Sequence, residues 1–216
     1  MRKAAEGAAA VIFQQPNMFG CLEPAPDLAA AANESEALSI AHVDPLSLGV
    51  LEAPGRYGCS IALGEGQGAG NFPAFGGPHY GFHAAPQDFL RRMPGRIVGE
   101  TVDAAAAPGA VLHLQHRDQP LRRAKATSNI TTNQTLLALG GLVYLTWLGP
   151  QGLRELGETC LSLSAYAKQQ LRERAGLEAV FADRATFKEF AVRVGRNARD
   201  VIADARELGV HPGYAL

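Results

Sequence analysis

The chain predicts an α/β fold built on a mainly parallel sheet, with the start of a small α+β unit toward the C-terminus. Three observations carry this. The apolar runs "AAVIFQQPN", "SIAHV" and "CSIAL" alternate with helix-forming segments, the rhythm of strand–helix–strand units. A glycine-rich stretch, "IALGEGQGAGNFPAFGGPHYGF" at residues 61–82, opens directly after the third run. The last forty or so residues return to a short apolar run and one amphipathic segment, too few for another sheet of the same kind.

Taken in order, "AAVIFQQPN" predicts a buried strand stopped by Pro16 and Asn17. "PDLAAAANESEAL" predicts a helix, with Pro26 and Asp27 at its start and an alanine-rich body. "SIAHV" is the second strand. Asp44 before Pro45 then forms an N-cap with proline at the first helical position. "CSIAL" is the third strand. After the glycine stretch come "GFHAA" and a short helix around "PQDFLRR". "RIVGETVD" and "AVLHLQHR" predict a hairpin that turns at Pro108 and Gly109. Residues 133–147, "NQTLLALGGLVYLTW", are too apolar for a surface helix and predict a buried one. Leu153, Leu156, Cys160 and Leu163 continue at helical spacing. The tail predicts a strand near "EFAVRV" and a helix near "NARDVIADAREL". The division expected is residues 1–150 for the larger domain and 151–216 for a linking helix and a partial small domain.

The bulk numbers narrow the function. Hydrophobic residues make up 47% and charged residues 19% of 216, an ordinary globular balance. A net charge of -1 offers no basic excess for nucleic acid and no acidic tail. Cys21, Cys59 and Cys160 are far apart and form no metal-ligand spacing, which predicts reduced thiols and no metal. The N-terminus, "MRKAAEGAAAVIFQQPNMFG", is a poor signal peptide, since Glu6 and Gln14 interrupt its apolar part. No apolar run approaches the ~20 residues of a membrane helix. A cytoplasmic protein is expected.

The glycine stretch carries the main functional question. Gly64, Gly66 and Ala69 match the spacing of a dinucleotide fingerprint. That fingerprint needs a helix opening at its end to hold the pyrophosphate, and "NFPAFGGPHYG" cannot start one. A P-loop fails as well, because no Gly-Lys-Ser/Thr follows. What remains is a long irregular loop, of the kind that carries function or meets a partner. His79 sits within it, in "GGPHYG", and no nucleophile–base arrangement can be assembled around it from local spacing. Downstream, "QHRDQPLRRAKATSN" gathers Arg117, Arg122, Arg123 and Lys125 beside Thr127, Ser128 and Asn129. This is either a solvated basic turn or an anion site, since Arg forks fit carboxylate or phosphate.

Six stretches together resemble one family. "QQPNMFGCLEP", "GRYGCSIALGEGQ", "FGGPHYGF", "RRMPGRIVGETVD", "LQHRDQPLRRAKATSNITTNQ" and "YLTWLGPQGLREL" are similar, in order, to the N-terminal half (subunit 1) of glycine decarboxylase, the P-protein of the glycine cleavage system. The resemblance implies a fold-type-I, pyridoxal-phosphate (PLP)-dependent transferase-like large domain, present in part, and a small C-terminal domain. It implies glycine decarboxylation with aminomethyl transfer to the lipoyl group of H-protein. The PLP would be bound by a partner, subunit 2, whose lysine holds it. In such folds the lysine follows a strand in a glycine-rich turn, and the resemblance places Gln67 at that position. An amide forms no Schiff base. The implied result is a chain with no catalytic residue and no cofactor ligand of its own. Gly76, Gly77, Pro78, His79, Arg117, Lys125, Ser128 and Asn129 are then expected at an interface or an active-site mouth. Pro120, Ala124 and Thr131 depart from the family's histidine, glutamate and cysteine. Compared with the family, the chain is expected to be a fragment with exposed sheet edges and apolar surface. The alternative is an inactive remnant or a binding protein.

Overall fold

The computed structural model describes residues 2–115, 119–126 and 132–216. A short helix α1 (Arg2–Ala5) precedes β1 (Ala10–Gln15), α2 (Ala25–Glu34), β2 (Leu38–Val43) and β3 (Ile61–Glu65). β1, β2 and β3 run parallel, and β4 (Gly81–Ala84) joins antiparallel to β3, in the order β1-β2-β3-β4. Register follows the side-chain period of two. Ser39, Ala41 and Val43 of β2 are buried, while Leu38, Ile40 and His42 between them are half-buried. Phe13, Ala41 and Val43 meet Ala25 and Ala29 of α2 in the core. Alanines on both sides let helix and sheet approach closely. Pro in the first turn and Asp27 beside it suit the N-terminus of α2.

Asp44 caps the segment after β2 as its sequence suggests, accepting from the Leu46 N–H at 2.9 Å. The segment forms two short 3-10 helices, Pro45–Gly49 and Pro54–Tyr57, rather than a longer α-helix. The hairpin forms from β5 (Ile97–Val102) and β6 (Pro108–His113). Its turn, however, is not at Pro108 and Gly109, which pair with Val102 and Thr101 inside the ladder. The Asp103 carboxylate makes the turn, accepting from the N–H groups of Ala105 (2.8 Å) and Ala107 (2.9 Å). Pro108 takes the first position of β6, where a proline is tolerated.

After α3 (Gln119–Arg122), α4 runs from Thr135 to Ala175 and is broken at Gly149, whose φ of 61° precedes Pro150. Its first half is not the buried helix the composition suggests. Leu136 is 80% and Trp147 83% exposed, and Leu139, Leu142 and Val143 are also open. Among the described residues the glycine loop approaches this half, through Tyr80 against Gly141, Gly70 against Tyr144, and Asn71 donating to Leu137 O. By length and composition α4 is long and apolar enough to cross a membrane. The break divides it, leaving an apolar part at residues 135–148 of about 21 Å against a hydrocarbon core of about 30 Å.

In the tail, the expected strand is only an isolated bridge, Ala179 to Val192. The expected helix is present as α5 (Ala198–Glu207), with the Asn197 side chain accepting from the Arg199 N–H at 2.9 Å. The tail is tied back to the sheet end of the molecule. Leu22 N–H donates to Ala185 O (2.8 Å), Phe187 N–H donates to Gly20 O (3.0 Å), and the Phe187 side chain is buried.

Candidate functional site

Crevices for ligands and partners in open α/β sheets lie beyond the carboxyl ends of the parallel strands. Here that edge is formed by Gln15, Asp44 and the residues after Glu65. At the end of β1, Gln15 accepts from the Glu23 N–H at 2.8 Å. Asn17 donates through its amide to the Glu23 carboxylate and accepts from the N–H groups of Phe19 and Cys21. Arg184 donates to the same carboxylate at 3.0 Å. Burial alone raises the pKa of Glu23, but the Asn17 amide and Arg184 outweigh it and hold the carboxyl below its ordinary range.

The glycine loop follows β3 without opening a helix, so the dinucleotide fingerprint lacks the element that would hold a pyrophosphate. Gly66 donates its N–H to Tyr80 O at 2.7 Å, and Tyr80 donates its hydroxyl to Ala69 O at 3.2 Å. The Tyr80 ring is wedged between two glycines. A Cβ on Gly66 would stand 2.3 Å from the ring, and one on Gly141 of α4 would stand 2.1 Å from the hydroxyl oxygen. Only glycine permits that approach. Burial, then Glu65, raises the pKa of Tyr80, so the phenol keeps its donor proton.

Gln67 is spent within the loop. Its N–H donates to the Glu65 carboxylate at 3.0 Å, and its amide donates to Asn71 O at 2.9 Å. Asn71 in turn donates to Leu137 O of α4 at 3.3 Å. A lysine does stand near, since a Cβ built on Gly68 would lie 3.9 Å from Lys188 Nζ. That Nζ is in an ion pair with Asp44 at 2.5 Å. The residues present therefore do not fit covalently held PLP: an amide occupies the loop, and the nearby amine is engaged by a carboxylate.

Of the residues singled out in the sequence, Gly76, Gly77, Pro78 and His79 lie together in the irregular part of the loop, with no strand or helix between them. His79 Nδ1 is 3.8 Å from Glu65 Oε1, and its buried Nε2 has no hydrogen-bond partner among the described residues. Lys125 sits apart, exposed on the 3-10 turn Arg123–Lys125. Arg117, Ser128 and Asn129, with Thr127 and Thr131, lie outside the described residues. Sequence reasoning missed Tyr80 and Lys188, and read Asp44 only as a cap. No local signal marks Lys188, because its partner is far away in the chain.

Comparison with known proteins places this geometry in context. Residues 1–212 match the family model described as the glycine cleavage system P-protein. Two similar proteins are named probable glycine dehydrogenase (decarboxylating) subunit 1. One, from Chloroherpeton thalassium, is 45% identical over 96% of this chain and 47% of its own length. The other, from Moorella thermoacetica, is 43% identical over 99% of this chain and 48% of its own. The chain thus spans about half the length of the curated relatives it matches. A crystal structure of glycine decarboxylase (P-protein) of the glycine cleavage system, in inhibitor-bound form, superposes with a TM-score of 0.90 at 45% identity, covering 94% of this chain and 46% of that one. An aspartate aminotransferase from Thermus thermophilus, at 20% identity and a TM-score of 0.60, covers 97% of this chain and 56% of its own, and shows the fold alone.

Proposed function

The chain belongs to the glycine cleavage system P-protein family, and from that premise we propose that it acts as the non-lysine-bearing part of a glycine decarboxylase. Its fold is the PLP-dependent transferase class, present in part. In this reading the chain works in a complex in the cytoplasm. A partner subunit binds PLP through its own lysine, and lipoylated H-protein receives the aminomethyl group. Residues 1–150 form the docking part of the large domain, and 151–216 the linking helix and part of the small domain.

One observation carries the division of labour. At the glycine loop, where the bound cofactor would need an amine, Gln67 donates its amide to Asn71 O. Such a residue shapes a loop and cannot attack an aldehyde. The chain supplies walls instead. Tyr80 pins the loop to α4, and His79 presents a nitrogen with no partner of its own among the described residues. We assign Gly76, Gly77, Pro78 and His79, with Arg117, Lys125, Ser128 and Asn129, to the mouth facing the partner. Glycine or lipoyl chemistry would occur across that mouth, with no covalent step on this chain.

The test is co-expression with the PLP-bearing subunit of the same organism, followed by size-exclusion chromatography and glycine-dependent bicarbonate exchange. Co-elution with exchange activity absent from this chain alone supports the reading. A borohydride-fixed pyridoxal adduct on this chain, or separate elution, overturns it.

A further inference from the structure

We propose that a cleft between the last turns of α4 and residues 178–184 binds a small phosphorylated or carboxylated organic anion. The cleft has a volume of about 280 Å³ and is lined by the cations Lys168, Arg172 and Arg184, of which Arg184 is already paired, and by one acidic residue, Glu178. It lies outside the glycine loop and is independent of the function proposed above.

The chain geometry explains why these cations converge. Lys168 and Arg172 are one turn apart on α4 and share a face. Gly176 then takes the left-handed conformation that ends the helix, with its N–H and that of Leu177 donating to the carbonyls of Arg172 and Leu171. The chain reverses there and lays residues 178–184 beside the helix it has just left. The bridge from Ala179 to Val192 and the bond from the Val180 N–H to Ala191 O (2.9 Å) hold that segment in place.

Two of the three cations are already oriented. Lys168 donates to the Thr186 hydroxyl at 2.6 Å and sits 5.8 Å from the Phe190 ring centroid. Arg184 donates to Leu22 O at 2.8 Å and to the Glu23 carboxylate at 3.0 Å, which balances its charge. Arg172 is different. Among the described residues its guanidinium has no hydrogen bond or ion pair, although it lines the cleft. A planar guanidinium beside a fixed ammonium suits two oxygens of one oxyanion. Ala165, Ala179, Ala182 and Phe181 supply apolar walls, and Phe181 is braced by Phe19 at 5.1 Å between ring centroids. The occupant that uses both halves is a phosphate or carboxylate carrying a short apolar body.

The experiment titrates the full chain at low salt with inorganic phosphate and with butyl phosphate, followed by amide chemical shifts. The expected result is saturable one-site binding of butyl phosphate, with a dissociation constant on the order of 1 mM, tighter than inorganic phosphate. Shifts should concentrate at residues 165–184. Arg172→Met should weaken binding about tenfold, the size of one lost charge-assisted contact. Glu178→Gln should tighten it, by removing the opposing charge. Arg174→Met removes the same charge from the same helix outside the cleft and should change little. Arg172 is exposed, so its replacement leaves the core intact. Shifts that never saturate, equal weakening in Arg172→Met and Arg174→Met, or weaker binding in Glu178→Gln overturn the proposal.

Discussion

Ile12 and Phe13 are neighbours on β1 with opposite fates. Phe13 is 8% exposed and belongs to the core under α2, while Ile12 is 69% exposed on the other side of the sheet. The register extends the contrast across the strands, since Ile12, Ile40 and Ile61 lie in one row. One face of the sheet is closed by the alanines of α2. The other face, like the first half of α4 with Leu136 and Trp147, displays apolar residues that a parallel sheet ordinarily buries on both sides. The two faces have similar composition and differ in what covers them. An apolar pattern therefore states a demand for burial, and the described chain meets only half of it.

The largest effect should come from emptying the closed face. Phe13→Ala should destabilise the chain by about 3–5 kcal/mol in denaturant unfolding. A cost under about 1 kcal/mol would mean this face is not a packed core. Overfilling should cost somewhat less. Ala29 is fully buried against the sheet, and Ala29→Leu should lose about 1–3 kcal/mol by the same measurement. On the open side, Ile12→Ala and Trp147→Ala should change the stability of the isolated chain by no more than about 0.5 kcal/mol. Trp147 is the only tryptophan, so its fluorescence reports that face directly. Iodide should quench it as fully as a free tryptophan analogue, and protection that vanishes on dilution would reveal self-association in place of an open face.

The smallest effect is a pH dependence at the edge the two faces share. The Glu23 carboxyl is held below its ordinary value of 4.5, so its contribution to stability is complete above that pH. It declines as pH falls through the lower folded value, where the native carboxylate takes up its proton. In Arg184→Met the folded value should lie closer to 4.5, so the loss should be smaller and complete at a higher pH, as seen in urea midpoints measured from pH 6 downward. Identical profiles for the two proteins would remove Arg184 from that role. At the opposite end of the scale, burial, with smaller contributions from Cys59 and Glu52, pushes the Tyr57 pKa up to about 12. Stability should therefore fall as pH rises from 10 toward 12, where the unfolded chain ionises first.

The parts legible in the sequence are those governed by near neighbours. The three parallel strands, α2, the Asp44 cap and α5 all follow from side chains acting within a few residues of their own backbone. The glycine loop was legible in the same way, because its prolines and glycines forbid a helix. The hairpin turn was misplaced, since Pro108 and Gly109 are strong turn signals and Asp103, a subtler one, won with two backbone hydrogen bonds. The burial of α4 was misjudged because composition says how much apolar surface a helix has and not whether anything lies against it.

By itself the sequence determined the element order, the irregular loop with an amide at Gln67, and the family to which those motifs belong. Only the tertiary structure decided that Tyr80 would wedge between Gly66 and Gly141, that Lys188 would pair with Asp44, and that Arg172 would be left with an open cleft beside it. The physical reason is range. A cap or a turn is settled by atoms a few bonds apart, whereas these contacts join segments far apart in the chain, and no local pattern records which of them will meet.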